Sequence, residues 1–288
     1  MRIDTLSYNN VQTQGARRRS WLQQHSPQHL RECAALVLRA LELRPAHTSH
    51  STLVLGAGAC TEVPLADLAR RSDDVILADL DLLSMEKARA ELASATMRKA
   101  TRLVTGDLTG GISPALNRLL ERQPWQELIS QGAGAVFDAA AQCLDACPVA
   151  DPPVIEGLYS GECGVVISSL TLTQLFSYPL LDLLDHIQQR APAFVGEQER
   201  HYRYQEAAQS FRTRVIRAHL RLLRTLIDVG GLVVLLSDVR GFAFNSSDAE
   251  QDTAQRRTIP LVPRVFPDLV RDTFDVVEER RWEWITDL

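Results

Sequence analysis

Short apolar runs alternate with helical patterns along this chain, and that alternation restricts the fold more than any other feature. The first run is Leu53-Val54-Leu55, ending in Gly56, and a helix pattern around Leu65, Leu68 and Ala69 follows. Val75-Ile76-Leu77-Ala78 then ends at Asp79, Ser84 to Ala95 reads as helix, and Arg102-Leu103-Val104-Thr105 reads as a third strand. A continuously apolar strand must be covered on both faces, as in a parallel sheet sandwiched by helices. The expected fold is a doubly wound α/β domain: a mostly parallel sheet with flanking helices, an N-terminal helical preface and helical insertions.

The preface, residues 1–50, reads as a lid of helices. A short piece spans Ser20 to Gln24, Ser26-Pro27 reads as a cap with a first-turn proline, and Leu30 to Leu43 is amphipathic. The sheet domain fills 51–288, with insertions at about 112–160 and 191–211. Between Asp107 and Gly164 there are too many residues for one crossover helix, so Leu116 to Ile129 and Ala135 to Ala146 are read as extra helices. Val165-Val166-Ile167 resumes the sheet. A helix over Thr171 to Gln189 follows, and the periodicity breaks from Ala191 to Tyr204. A basic helix over Phe211 to Val229 ends at Gly230-Gly231, and Leu232 to Leu236 is the next strand. Phe274 to Ile285 reads as one or two terminal strands.

Composition narrows the partners. A net charge of -5 gives no general attraction to nucleic acid, and no apolar stretch of about 18 residues suggests a membrane span. Met1 to Gly15 lacks the apolar core of a secretion signal, and Arg17 to Arg19 reads as a solvated helix start. Five cysteines at irregular spacing point to free thiols in a reducing, cytoplasmic setting. Cys143 and Cys147 share a helix face with only Cys163 as a further ligand, so buried thiols are expected rather than a metal site.

The chemistry gathers at strand ends. Leu53-Val54-Leu55-Gly56-Ala57-Gly58 delivers a Gly-x-Gly turn to a helix start, where the backbone turns tightly and admits a ligand. Asp79 ends the next strand, 21 residues after Gly58, in the place of a carboxylate that accepts from ribose hydroxyls. Asp81 competes for that role. Gly106-Asp107-Leu108 puts another acid just past the third strand.

With these motifs in order, residues 51–108 resemble the class I S-adenosylmethionine (SAM)-dependent methyltransferases. The motifs are Gly56-Ala57-Gly58, Ala78-Asp79-Leu80-Asp81 with Glu86-Lys87-Ala88-Arg89, and Gly106-Asp107-Leu108. The resemblance extends loosely through Gly164 to Leu172 and Gly230 to Val239. It implies that the glycine turn passes under the methionine part of SAM and that Asp79 holds the ribose. It also implies that Asp107 accepts from the adenine amino group and that Leu108 lies against the ring. Two positions depart from the family pattern: Val54 replaces an acid and Cys60 a third glycine. Glu62 either stands in for that acid or serves the surface or a cap.

The fourth strand opens into Ser168-Ser169-Leu170-Thr171 beside the expected methyl position, without the Asn/Asp-Pro-Pro-aromatic tetrapeptide of many base and amide methylators. Ser168 and Ser169 bind cofactor or acceptor, or cap the next helix. Candidate catalytic groups are His201, Tyr202, Tyr204 and Glu162, with His25 and Tyr159 behind them. Arg214, Arg217, Arg221 and Arg224 fall at helical spacing in a segment that also holds Arg212; they meet an anionic acceptor or line a solvated face. The expected activity is O- or N-methylation of a small molecule, with no nucleic-acid or membrane partner. The alternatives are an NAD(P)-dependent oxidoreductase, whose fingerprint is broken by Thr61, and a catalytically inactive partner protein on the same fold.

Overall fold

The computed structural model describes residues 22–194, 196–243 and 257–283. Five strands form one parallel sheet: β1 (Ser51–Leu55), β2 (Asp74–Asp79), β3 (Thr101–Thr105), β4 (Cys163–Ser169) and β5 (Ile227–Leu236). Their order is β3-β2-β1-β4-β5. The chain leaves β1 toward β2 and returns on the other side at β4, so the order reverses between β1 and β4. That switch point opens a crevice at the carboxyl ends of the strands.

The apolar alternation is used on both faces. Val54, Val75, Leu77, Val165 and Ile167 face α1 (Pro27–Leu43), α2 (Leu65–Arg71), α3 (Leu82–Ala90) and α4 (Ala95–Lys99). Leu53, Leu55, Ile76 and Val166 join the other core. That core is completed by α5 (Ile112–Glu121), α6 (Trp125–Gln131), α7 (Ala133–Ala146), α8 (Leu172–Arg190), α9 (Tyr202–Leu226) and α10 (Phe266–Thr273). The fold is the doubly wound α/β domain expected.

Several boundaries differ, each for a local reason. Pro124 cannot continue a helix, so the expected 116–129 helix divides into α5 and α6. The expected Ser84 to Ala95 helix ends at Ala90, and Ser94 caps α4 by accepting the Met97 N–H at 3.1 Å. Tyr202 to Tyr204 open α9, so the 191–211 insertion runs into the helix that returns to the sheet. The basic helix stops at Leu226, three residues short of Val229, and β5 starts at once. Register then slips between Cys163↔Ile227 and Val165↔Leu232. At the slip, Asp228 accepts the Ser49 N–H at 2.8 Å and fastens the linker after α1 to β5. From Pro27 on, the preface packs on β5 and β4.

The expected terminal strands do not form among the described residues: 274–283 carry no regular structure after α10. Trp284 and Ile285 lie outside the described residues, as do Arg17 to Arg19 and Ser20. An antiparallel pair that the sequence reading lacked, β6 (Arg240–Ala243) with β7 (Arg257–Pro260), follows β5. All five cysteines are buried, and burial pushes Cys33 and Cys163 up to about 12 and Cys143 to about 11. No described helix is long and apolar enough to cross a membrane.

Gly164 marks the tightest backbone approach. A Cβ there would sit 1.9 Å from the Ser49 carbonyl oxygen. Both atoms belong to backbone, so neither can swing away. Gly164→Ala should cost at least about 3 kcal/mol in denaturant unfolding, beyond ordinary overpacking. Gly134→Ala, where nothing lies within 4 Å, should be neutral or stabilising by up to roughly 0.5 kcal/mol.

Candidate functional site

The glycine turn after β1 is anchored to the end of β2. Gly56 and Ala57 donate their N–H groups to the Ala78 carbonyl at 2.9 and 3.3 Å. Gly58 donates its N–H to Asp79 Oδ2 at 2.9 Å, and Asp81 donates to Oδ1 at 2.9 Å. Asp81 itself accepts the Ser84 N–H and hydroxyl at 3.0 and 2.6 Å, so it is occupied as the cap of α3. Asp79, not Asp81, faces the turn.

The two glycines have different reasons. Gly56 has φ +67°, and a Cβ there would meet Thr171 Cβ at 2.5 Å, so its missing side chain lets the start of α8 close on the turn. Gly58 has φ +43°, and a Cβ there would meet only Asp79 Oδ2, at 3.9 Å. It would therefore project into the space in front of that carboxylate. Ala57 points into the core, and Leu80 is exposed beside Asp79. Cys60, at the place of a third glycine, adopts φ +51° with its side chain buried. The backbone thus keeps the left-handed turn, at a strain of about 1–2 kcal/mol for a residue with a Cβ.

A carboxylate offers about four lone-pair sites. Asp79 accepts from the Gly58 and Asp81 amides, and the Leu80 amide also stabilises its charge; the remaining acceptor capacity faces the turn. Asp107 Oδ1 accepts the Thr109 N–H and hydroxyl at 2.8 and 2.6 Å, and Oδ2 accepts the Gly111 N–H at 2.9 Å. One site remains there. Leu108 is buried in the core just behind. Burial raises the Asp79 carboxyl above its ordinary 3.8, against lowering by the Asp81 and Gly58 amides. Folding therefore favours its protonated form. That contribution is full below the ordinary value and is lost as pH rises through the folded one, so the fold bears an ionised Asp79 at a cost.

Ser168 occupies the end of β4 one step from the glycine turn, since it pairs in register with Leu55. Ser168 does not cap the next helix, whose N-cap is Thr171: its hydroxyl is buried and lies 2.8 Å from His219 Nε2 on α9. His219 is buried too, and burial lowers it to about 4, so its ring is neutral. Its Nδ1 has no hydrogen-bond partner among the described residues. His219, Val215, Leu108, Thr109 and Leu175 line a void of about 10 Å3, room for a single water. The sequence reading missed His219, because a lone histidine in an apolar helical stripe looks like core.

The other catalytic candidates stand elsewhere. Glu162 precedes β4, at the amino edge of the sheet, and binds Arg102 at 2.7 Å. Tyr159 is exposed on the same approach. His201 stacks on Phe137 at 4.6 Å, Tyr204 meets the same ring edge-on at 5.4 Å, and Tyr202 is exposed. Tyr204 is about 22 Å along α9 from His219 at 1.5 Å per residue. His25 sits in the helical stub before α1. Arg214 donates to the Leu144 and Cys147 carbonyls, and Arg221 pairs with Asp151 at 2.7 Å. Arg217 and Arg224 are exposed.

No protein-family model matches this chain. No curated protein matches it either. Among solved structures, it is similar to the glycopeptide N-methyltransferase MtfA complexed with SAM. That chain is 14% identical, with 85% of this chain and 84% of that one covered and a TM-score of 0.39. A likeness that distant carries no functional inference.

The local geometry separates the glycines experimentally. Gly58→Ala should cost only the strain of its positive φ, about 1 kcal/mol, yet obstruct any ligand on Asp79. Gly56→Ala should cost more than about 2 kcal/mol, because Thr171 must also move. Parallel unfolding curves check the order.

Proposed function

We propose that this protein is a SAM-dependent methyltransferase that methylates oxygen or nitrogen on a small molecule. The observation that carries the reading is the pairing of Asp79 and Asp107 at neighbouring strand ends. Each is held by backbone amides, and each keeps the acceptor capacity its role needs. The acceptor capacity left on Asp79 suits ribose hydroxyls, and that left on Asp107 suits an adenine amino group. The open space at Gly58 lets the ligand reach Asp79. These features fit SAM, whose sulfonium supplies an electrophilic methyl group when bound.

This chain's own part is then binding, orientation and exclusion of water. Asp79 and Gly58 fix the ribose end, Asp107 and Leu108 the adenine end. The starts of α5 and α8 flank the edge and narrow access to it. An acceptor that loses a proton needs a base only if that proton is still held at neutral pH. His219, neutral and buried beside Ser168, suits hydrogen bonding to an uncharged acceptor better than strong proton abstraction.

Thermal unfolding with SAM, S-adenosylhomocysteine, NAD and NADP tests the reading. At 100 times its dissociation constant a ligand adds about 2.7 kcal/mol, so the two adenosyl compounds should raise the melting temperature. NAD and NADP should leave it unchanged; the reverse pattern would replace this reading with an oxidoreductase. Asp79→Ala removes two charge-assisted hydrogen bonds, each worth roughly 1.5–3 kcal/mol. It should weaken S-adenosylhomocysteine at least tenfold, while Asp81→Ala should act chiefly on stability through the lost cap of α3.

A further inference from the structure

Among the described residues, the Asp107 carboxylate is bonded by its own loop alone. Thr109 donates its N–H and hydroxyl to Oδ1, and Gly111 donates its N–H to Oδ2. A carboxylate held this way is placed only as well as the loop itself is placed. The Thr109 hydroxyl also accepts the Ile112 N–H at 3.2 Å. A hydroxyl has one hydrogen and two lone pairs, so one lone pair on Thr109 remains.

Thr109 and His219 are the two polar side chains lining the void of about 10 Å3 between this loop and α9. That volume admits one water and nothing larger. His219 is 1% exposed, and its Nδ1 has no hydrogen-bond partner among the described residues. Its tautomer follows from satisfaction. If the Ser168 hydroxyl donates to Nε2, only the Nδ1–H lacks a partner; the opposite assignment leaves two groups unpaired. The void therefore joins a buried N–H donor on α9 to a loop whose threonine hydroxyl still has acceptor capacity. A buried polar group left unmet is costly, and a water in the void meets it.

We propose that His219 is a positioning residue for Asp107, acting through one water held in this void. The water accepts from His219 Nδ1–H and donates to the remaining lone pair of the Thr109 hydroxyl. A line of hydrogen bonds then runs from Ser168 at the end of β4, through His219 on α9, to Thr109 and Asp107 after β3. It fixes the loop that carries Asp107 against the helical half of the fold. That Asp107 meets an adenine rests on the methyltransferase reading; the tether does not.

The test uses the full chain. Nitrogen NMR on histidine-labelled protein reads the tautomer, and the His219 proton should sit on Nδ1. Amide hydrogen exchange then compares Thr109 and Gly111, bonded to Asp107, with Gly58, bonded to Asp79. His219→Asn keeps a nitrogen donor where Nδ1 stands. His219→Gln is nearer in size but carries its amide toward Ser168. Relative to Gly58, exchange at Thr109 and Gly111 should rise at least about tenfold in His219→Gln and stay near the parent rate in His219→Asn. If these variants misfold, Val215→Ile serves, because it puts a methylene into the void. It should speed the same two amides and lower the melting temperature, whereas filling a dry void would do neither. Calorimetry with adenosine and with purine riboside, which lacks the amino group, reads the consequence at Asp107. His219→Gln should lose the parent's preference for adenosine, and His219→Asn should keep it. The proposal is overturned if the proton sits on Nε2, if both variants exchange alike, or if both keep that preference. Failure of S-adenosylhomocysteine to bind, with the exchange pattern as expected, removes the methyltransferase reading and keeps the tether; the converse removes only the tether.

Discussion

A single hydrogen bond, from the Gly58 N–H to Asp79 Oδ2, joins the two features on which the account of this protein depends. It ties the turn after β1 to the end of β2, beside the sheet's switch point between β1 and β4. It requires an amide free to point sideways, hence a backbone at positive φ and no side chain in the way. It also requires a carboxylate in a partly desolvated place, where ionisation is costly until something donates to it. The two central strands of the sheet fix both requirements in register, Val54 against Leu77 and Leu55 against Ala78.

Much of the sheet half was legible because its signals are local. An apolar run ending in glycine, and another ending in aspartate, specify strand, turn and edge within about ten residues. Asp79 was favoured over Asp81 because it closes the apolar run. The reason visible only in the structure is Ser84, which engages Asp81 as a helix cap, while the Gly58 amide engages Asp79. Cys60 was read as a loss of the third glycine, yet the backbone keeps the left-handed conformation there. Sequence shows the side chain and hides the φ.

The helical half was less legible because its chemistry is assembled from distant segments. Ser168 and His219 are 51 residues apart and meet only because α9 returns across the sheet. Glu162, Tyr159, His201 and Tyr204 looked attractive as polar groups in irregular stretches. The fold uses Glu162 in an ion pair at the amino edge, and His201 and Tyr204 as aromatic packing on Phe137. Among the arginines of α9, the four with regular spacing face outward, cap α7 or pair with Asp151. The irregular Arg212 faces inward. Periodicity found the solvated face; the exception to it, Arg212, is half-buried against the Phe176 ring.

The central claim is that Asp79 holds the ribose hydroxyls as an ionised acceptor, and proton linkage tests it most directly. Its carboxyl is raised in the free protein, and donors from a bound nucleoside would lower it again. Calorimetric affinity for S-adenosylhomocysteine should be level through neutral pH. In acid it should fall toward tenfold per pH unit once the free Asp79 protonates. Asp79→Asn should bind more weakly at neutral pH and lose this acid dependence. Equal affinity and an identical acid profile in the two proteins would contradict the account.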